Sequence, residues 1–512
     1  MRIPFRSHLL YGYDSVNFAL GMERFNVPRD RPHPPGYILY IGLGRLFNLF
    51  FGNANTALVT LSILSGALAV VAIFLVGRSI FNYATGITAA VMLLFSPLLW
   101  FSSEVALSHA IELPLALLAT WLLYQVFFHR RYALLCAVVI GIAGGIRQDV
   151  LLFLGPVWFI GTARLGLRTL TISAAALLAS VLAWTVPLIY SSGGLSTYRT
   201  AASAHFADAI YPVSVFAGGV AAAVSNLWLI LLSGFWLLGA ATPLVLLTVG
   251  VIAIRPRRLL SDRRIIFLLL LPLPALAFFI LVNFSHPAYS FVYAGSLVLI
   301  VARVLTLLAA GGPEGICAMS PLPRPGLMTA RLGPVILAVF LAVVAVINTG
   351  LYFRVNRLDW GIPHTGETLA SVYNEFDNNY IVTNDNRVGL AAATIRHFDP
   401  EKTLIVIDGG VSSWRSLSYY VPDYMIVVLR GGEGYRRTQS EVQQLVLGTV
   451  TISVPAHFRQ ALVIDAGAPV PGVKLTPVPG DYGPLGFYTA KLPAAGDVSL
   501  DGYDLTESGA GA

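Results

Sequence analysis

The amino-acid sequence predicts a polytopic α-helical membrane protein that carries a small soluble α/β domain near its C-terminal end. Three observations support this. Charged residues make up 12% of the 512 positions and hydrophobic ones 56%, against roughly 25% charged in ordinary soluble domains, and the mean hydropathy is +0.73. Between residues 55 and 354, apolar stretches long enough for a bilayer alternate with short arginine-bearing loops. From residue 355 onward, short β-branched runs alternate with helical ones.

The chain is expected to fall into four parts: an outer-face loop with interfacial helices over 1–54, a helical membrane body over 55–354, an extracytoplasmic α/β domain over 355–495, and a disordered Gly/Ala-rich tail over 496–512. The first part opens on Asp14-Ser-Val-Asn-Phe-Ala-Leu-Gly21, a short helix carrying one carboxylate. A second helix is expected to open on Pro34 and Pro35, because proline suits a first turn that has no partner for its N–H. The free amides and dipole at such an end favour an anion such as phosphate. Residues 36–52 place Gly44, Arg45, Asn48 and Gly52 on one side of an apolar helix, the pattern of a helix lying in the interface.

Ten spans follow, at 55–77, 83–101, 105–128, 132–146, 150–163, 168–190, 226–253, 265–284, 287–309 and 334–353. One alternate set of loops carries thirteen arginines, among them Arg130, Arg131, Arg257, Arg258, Arg263 and Arg264, whereas the other carries Arg147 and Arg199. The first set is therefore cytoplasmic, and the net charge of +7 reports topology rather than nucleic-acid binding. An even number of spans puts both ends outside, so a helix preceding the present Met1 is expected. In the last third, Tyr380-Ile-Val-Thr383, Thr403–Ile407 and Tyr424–Leu429 read as strands between helices at 364–378, 387–397 and 411–420. The runs at 450–455, 461–465 and 486–492 read as antiparallel or edge strands.

Chemistry-bearing residues gather on the outer face. Asp14 is either the cap of a helix starting at Ser15 or a base. Glu104, Ser108 and Glu112 would share one face of a helix, with Glu112 about 12 Å of rise further in. Ionisable groups at that depth are expensive and normally face a cavity or a partner. Arg147 is either ion-paired to Asp149 or holds a phosphate with its planar fork. His286-Pro-Ala-Tyr289 repeats the theme of His33-Pro-Pro-Gly-Tyr37, and either histidine could serve as a cap. The 191–225 loop is the longest outer connection of the membrane body. Cys136 and Cys317 make no disulfide or metal framework. No P-loop, Gly-x-Ser-x-Gly, His-Glu-x-x-His or Cys-x-x-Cys occurs. No cofactor is assigned, and although a divalent metal is compatible with the outer loops, nothing in the sequence argues for one.

At Asp14-Ser-Val-Asn-Phe-Ala-Leu-Gly, Arg31-Pro-His-Pro-Pro-Gly-Tyr, Gly-Ile-Arg147-Gln-Asp and His286-Pro-Ala-Tyr, the sequence resembles integral-membrane glycosyltransferases of the C-type (GT-C) fold. The nearest are protein O-mannosyltransferase and aminoarabinose-transferase relatives, including a bacterial branch with a His-Pro-Pro-Gly-Tyr signature. The likeness covers about residues 8–310. It departs from the family where Asp14-Ser15 replaces a paired Asp-Glu.

The resemblance implies a multi-pass enzyme of the plasma (inner) membrane with its site and C-terminal domain outside. It also implies a polyprenyl-phosphate-linked sugar as donor and a hydroxyl of a protein, lipid or envelope glycan as acceptor, with inversion at the anomeric carbon. On that basis Asp14 is the base and Glu104 a second carboxylate ordering the substrates. His33, Arg147, His286 and Tyr289 surround the phosphate with the 34–36 amides, and Asn17, Tyr37, Ser108 and Glu112 line the substrate cavity. Two other functions fit the sequence. In a lipid-carrier flippase or transporter, Glu112 and the glycine-broken spans near Gly144 would line a pathway; the third reading is an inactive relative whose outer domain binds glycans.

Overall fold

The computed structural model describes residues 2–254, 262–317, 327–354, 378–408, 414–430, 451–454, 457–465, 476–480, 485–492, 496–499 and 504–507. They form two compact units. One comprises residues 2–6 and the described residues from Pro34 to 354; the other comprises Ser7–His33 and the described residues from Asn379 onward.

The first unit is helical. After α2 (Ile38–Phe51) come α3 (Ala54–Ile80), α4 (Tyr83–Leu94), α5 (Pro97–Glu104), α6 (His109–Val126), α7 (Tyr132–Ile146), α8 (Gln148–Ala163), α9 (Leu167–Ser191), α10 (Leu195–His205), α11 (Val215–Leu238) and α12 (Pro243–Ile254). It continues with α13 (Arg263–Leu270), α14 (Leu273–Leu281), α15 (Phe291–Cys317) and α16 (Leu327–Arg354). Among the described residues, seven segments are long and apolar enough to cross a membrane, or eight if α4 and α5, bent by 58°, count as one span. All ten expected spans are helical, but those at 83–101 (α4 and α5) and 265–284 (α13 and α14) are each two helices. The span at 226–253 is two helices, α11 and α12, joined by a 3₁₀ turn at Gly239–Ala241. Helices α7 and α8, 15 and 16 residues long, are as short as the expected spans at 132–146 and 150–163. The long 191–225 loop is mostly helical, because α10 and the start of α11 occupy it.

Apolar stripes point outward where a soluble protein would place charge. On α3, Leu64, Leu68, Val71 and Leu75 are more than half exposed, and Val335, Ile336, Val339 and Val346 do the same on α16, as lipid-facing surfaces require. On α2, Leu49 and Phe50 are about four-fifths exposed while Tyr40, Ile41 and Gly44 are buried, consistent with an interfacial helix. This helix does not open on Pro34 and Pro35. It starts at Ile38 with Tyr37 as its cap in the left-handed region, φ 43°, preceded by Gly36 at φ 105°. The prolines lie in the turn before it, so the expected amide nest at 34–36 is not a helix N-terminus.

Helices α3 and α4 approach through small residues, as lipid-embedded helices do. A Cβ on Gly86 would lie 2.6 Å from the Phe74 carbonyl oxygen and 3.0 Å from the Arg78 nitrogen, both backbone atoms that cannot swing aside. Gly86→Ala is therefore expected to destabilise the protein by about 1–3 kcal/mol. Gly234→Ala, where nothing lies within 4 Å, should leave thermal unfolding in detergent unchanged or slightly raised. Equal melting temperatures for the two variants would refute the close α3–α4 approach.

The second unit packs α1 (Tyr13–Glu23), α17 (Asn378–Ile395) and α18 (Trp414–Tyr420) with a six-stranded sheet. Its strands are β1 (Thr403–Asp408), β2 (Ile426–Arg430), β4 (Gln460–Asp465), β5 (Thr476–Pro477), β6 (Gly486–Lys491) and β8 (Asp504–Glu507), in the order β5-β6-β4-β1-β2-β8. β1 is parallel to both neighbours, and the outer pairs are antiparallel. Separately, β3 (Thr451–Val454) pairs with β7 (Gly496–Ser499).

Val388, Ala391, Ala392 and Ile395 sit on one face of α17 at helical spacing, against Ile405, Ile407, Ile426, Leu462 and Ile464 of the sheet. That periodicity decides the local structure: Tyr380–Thr383, expected as a strand, lies within α17. Residues 460–465 form an interior strand, antiparallel to β6 as expected on one side and parallel to β1 on the other. The expected disordered tail contributes β7 and β8 where it is described. The helix expected at 364–378 lies, but for its last residue, outside the described residues, as do 411–413 of the one at 411–420.

Candidate active site

In the helical unit, the expected single helix through Glu104, Ser108 and Glu112 is broken. Glu104 is the last residue of α5, and α6 starts at His109, so Glu112 lies in a first turn instead of a further 12 Å in. Arg147 is the single extended residue between α7 and α8, with φ −143° and ψ 120°. Arg147 is 3% exposed, and its guanidinium reaches three partners. Nε is 2.8 Å from Oε2 of the fully buried Glu112, Nη1 donates to Ser108 Oγ at 3.1 Å, and Nη2 donates to Asp149 Oδ2.

The guanidinium also lies 5.5 Å over the Tyr289 ring, and Tyr37 is near enough to act on it electrostatically. His109 and His286 stack at 4.2 Å with an interplanar angle of 2°, and Tyr289 is 5.8 and 5.9 Å from the two imidazoles. His286 caps its turn, with Nδ1 accepting from the Ala288 N–H at 3.1 Å. With both carboxylates ionised, this cluster carries one negative charge in excess. An incoming anion therefore needs one carboxylate to withdraw, and Asp149, 29% exposed, is the one that can reach solvent.

Glu104 stands elsewhere. It is fully buried and accepts a hydrogen bond from Tyr352, whose ring packs on Trp100 at 5.1 Å. Arg2, which donates to the Leu99 carbonyl at 2.8 Å, is pulled down to about 10 by burial, opposed chiefly by Glu104. A carboxylate so enclosed presents no oxygen open to solvent. Glu112, not Glu104, is the carboxylate beside Arg147.

In the α/β unit, Asp14 lies in the first turn of α1, but Gly12 is the cap residue and Asp14 makes no capping hydrogen bond. Its side chain is 44% exposed, with Oδ1 3.5 Å from Nδ1 of the buried His33. His33 reaches this place because α1 runs close to the 31–32 backbone: a Cβ on Gly21 would meet Pro32 N at 3.0 Å and Arg31 C at 3.1 Å. Asn17, also buried, accepts from Arg415 Nε at 3.1 Å. Arg415 lies 5.7 Å over the Tyr13 ring, and the Tyr13 hydroxyl donates to Asp30 Oδ2 at 3.1 Å. Burial, reinforced by Asp30, raises the Tyr13 phenol, so it stays a donor at neutral pH.

Ten residues were expected at the site. Arg147, Ser108, Glu112, His286 and Tyr289, with Tyr37 in reach, gather in one unit; Asp14, Asn17 and His33 gather in the other. His109, Arg415, Tyr13 and Tyr352 were not assigned roles. Among the described residues, no group of three His, Cys, Asp or Glu side chains gathers as a metal site.

Residues 32–190 match the family model for dolichyl-phosphate-mannose-protein mannosyltransferase. The chain is similar to the crystal structure of ArnT from Cupriavidus metallidurans in the apo state, at 16% identity over 96% of each chain, with a TM-score of 0.52. It is similar to the same protein bound to undecaprenyl phosphate, at 15% identity over 97% of this chain and 96% of that one, with a TM-score of 0.52. This chain has the C-type glycosyltransferase fold. An oligosaccharyltransferase from Archaeoglobus fulgidus aligns over 82% of this chain and 61% of its own, at 14% identity and a TM-score of 0.46. No protein of curated function matches by sequence. Within this GT-C fold, the family match includes His33, Tyr37, Glu112 and Arg147; Asp14, His286 and the α/β unit lie outside it.

Proposed function

We propose that this protein is a membrane glycosyltransferase that moves a sugar from a polyprenyl phosphate to a hydroxyl of a protein, lipid or envelope-glycan acceptor at the outer face of the plasma membrane. The observation that carries the reading is Asp14: a carboxylate in a helical first turn, freed from capping, half exposed and beside a buried imidazole. In the reaction the acceptor oxygen attacks the anomeric carbon, the bond from that carbon to the phosphate oxygen breaks, and the hydroxyl proton passes to Asp14. The polyprenyl phosphate leaves with its charge stabilised by Arg147, with His286 and Tyr289 beside it. Support for the lipid phosphate comes from the family match and from the fold shared with a protein solved with undecaprenyl phosphate. The arginine-rich loops support the orientation.

The test is purified protein in liposomes with labelled polyprenyl-phosphate sugar and an envelope extract. Label appearing on an acceptor is the expected result, whereas label that only changes leaflet, or stays on the lipid, overturns the assignment.

In this scheme the donor phosphate takes the place of Asp149 on Arg147. Asp149→Asn is therefore expected to lower the donor KM by up to about tenfold, the equivalent of about 1.4 kcal/mol, because a competing negative charge is gone. Initial rates over a donor series measure this, and a KM that rises refutes the exchange.

A further inference from the structure

The segment bearing Asp14 is built onto the α/β unit, and the attachment is specific. Asp385 of α17 receives three donors on one carboxylate: the His8 N–H at 2.6 Å, the Leu9 N–H at 3.1 Å and the Ser7 hydroxyl at 3.0 Å. The Tyr420 hydroxyl accepts from the Leu10 N–H at 2.8 Å, and the Ser416 hydroxyl donates to the Leu10 carbonyl at 3.4 Å. The side chains of Leu9 and Tyr13 pack against the core of the unit. Arg415 then grips α1 itself, with Nε donating to Asn17 Oδ1 and its plane over Tyr13. Arg415, Ser416 and Tyr420 all come from α18, a helix of seven residues. Asn17 lies one helical turn beyond Asp14, and Tyr13 immediately precedes it.

We propose that the α/β unit is the mounting of the base and that Arg415 is a positioning residue: by holding Asn17 and Tyr13 it fixes the rotation of α1 about its axis, and so the direction in which the Asp14 carboxylate faces the acceptor hydroxyl. This rests on Asp14 being the base. It gives the C-terminal unit a part in the rate of transfer rather than in donor capture. An error of about 1 Å in the placement of a reacting group is enough to lower a rate by about 100-fold, so a lost grip on α1 registers in kcat.

The test compares Arg415→Met, Arg415→Lys, Tyr420→Phe and Asp14→Asn, full-length in liposomes with labelled polyprenyl-phosphate sugar and an envelope extract. Arg415→Met is expected to lower kcat by at least about tenfold, with the donor KM within about twofold of wild type and the melting temperature within about 2 °C. Arg415→Lys, which keeps a cation over Tyr13, recovers part of the loss. Tyr420→Phe, which removes one hydroxyl, lowers kcat by a smaller factor and carries the test if Arg415→Met does not fold.

Wild-type kcat in Arg415→Met or, failing that protein, in Tyr420→Phe, while Asp14→Asn is inactive, overturns the positioning role and leaves the base standing. A loss of rate in Arg415→Met matched by a lower melting temperature, with no recovery in Arg415→Lys, shows a merely structural arginine and also overturns it. Activity in Asp14→Asn overturns the base instead.

Discussion

Asp14→Asn is expected to reduce kcat by about 10²–10⁴-fold, the range contributed by a well-placed general base, while leaving folding and the donor KM unchanged. The substitution keeps the shape and removes the basic oxygen. Little in the fold depends on the charge: Asp14 makes no capping hydrogen bond, is 44% exposed, and has His33 at 3.5 Å as its ionic neighbour. The helix-dipole contribution of a first-turn carboxylate is only about 0.3–1 kcal/mol. Asp14→Glu retains a base but moves it by one methylene, so it should keep a measurable fraction of the wild-type rate. Turnover by Asp14→Asn within about threefold of wild type, with labelled donor and acceptor extract, would dismiss Asp14 from the chemistry.

What the sequence made legible follows from the range over which each signal acts. Lipid exposure writes itself into every residue of a span, so all ten apolar stretches are helical, and arginine placement marks the loops. Breaks inside apolar runs are harder to see. Between α5 and α6 the residues Val105-Ala-Leu-Ser108 contain neither glycine nor proline, so Glu104 and Glu112 read as one helical face when they belong to different helices. Pro34 and Pro35 suggested a helix start by their chemistry, but the left-handed Gly36 and Tyr37 that follow delay it to Ile38. At Tyr380–Thr383 a local β preference gave way to the apolar face that α17 turns to the sheet, because propensity is the weaker influence.

The site was legible where partners are near in sequence, as with Arg147 and Asp149. The pairs Arg415–Asn17 and Tyr352–Glu104 are 398 and 248 residues apart. Nothing at either residue announces the other. Arg147–Glu112 is intermediate: both residues drew notice for their depth, yet their pairing depends on α6 and α7 packing side by side, which hydropathy does not reveal.

That pairing sets the second large effect. Arg147→Met is expected to destabilise the helical unit by about 3–5 kcal/mol, since removing one partner of a buried ion pair strands the other charge. Glu112 is the charge left behind: it is fully buried, and among the described residues neither of its oxygens has a hydrogen-bond partner, Oε2 having the Arg147 ion pair. Asp149 is partly exposed and can turn to water, so it adds little to the penalty. Removing both buried charges relieves the strain, because a pair replaced by apolar groups of similar volume is often neutral in stability. The double variant Arg147→Met/Glu112→Leu should therefore regain much of the lost melting temperature.

Under the proposed role of Arg147 it should not regain transfer, because the guanidinium assigned to the departing phosphate is gone. Arg147→Lys isolates this functional component. A single ammonium retains the charge opposite Glu112 but cannot meet Glu112, Ser108 and an added phosphate with a planar fork, so it should fold and bind donor at least about tenfold more weakly. Thermal unfolding in detergent and donor titrations on the three proteins separate the two roles. If Arg147→Met melts with wild type, the guanidinium does not neutralise Glu112; if the double variant transfers sugar at the wild-type rate, it does not serve the phosphate.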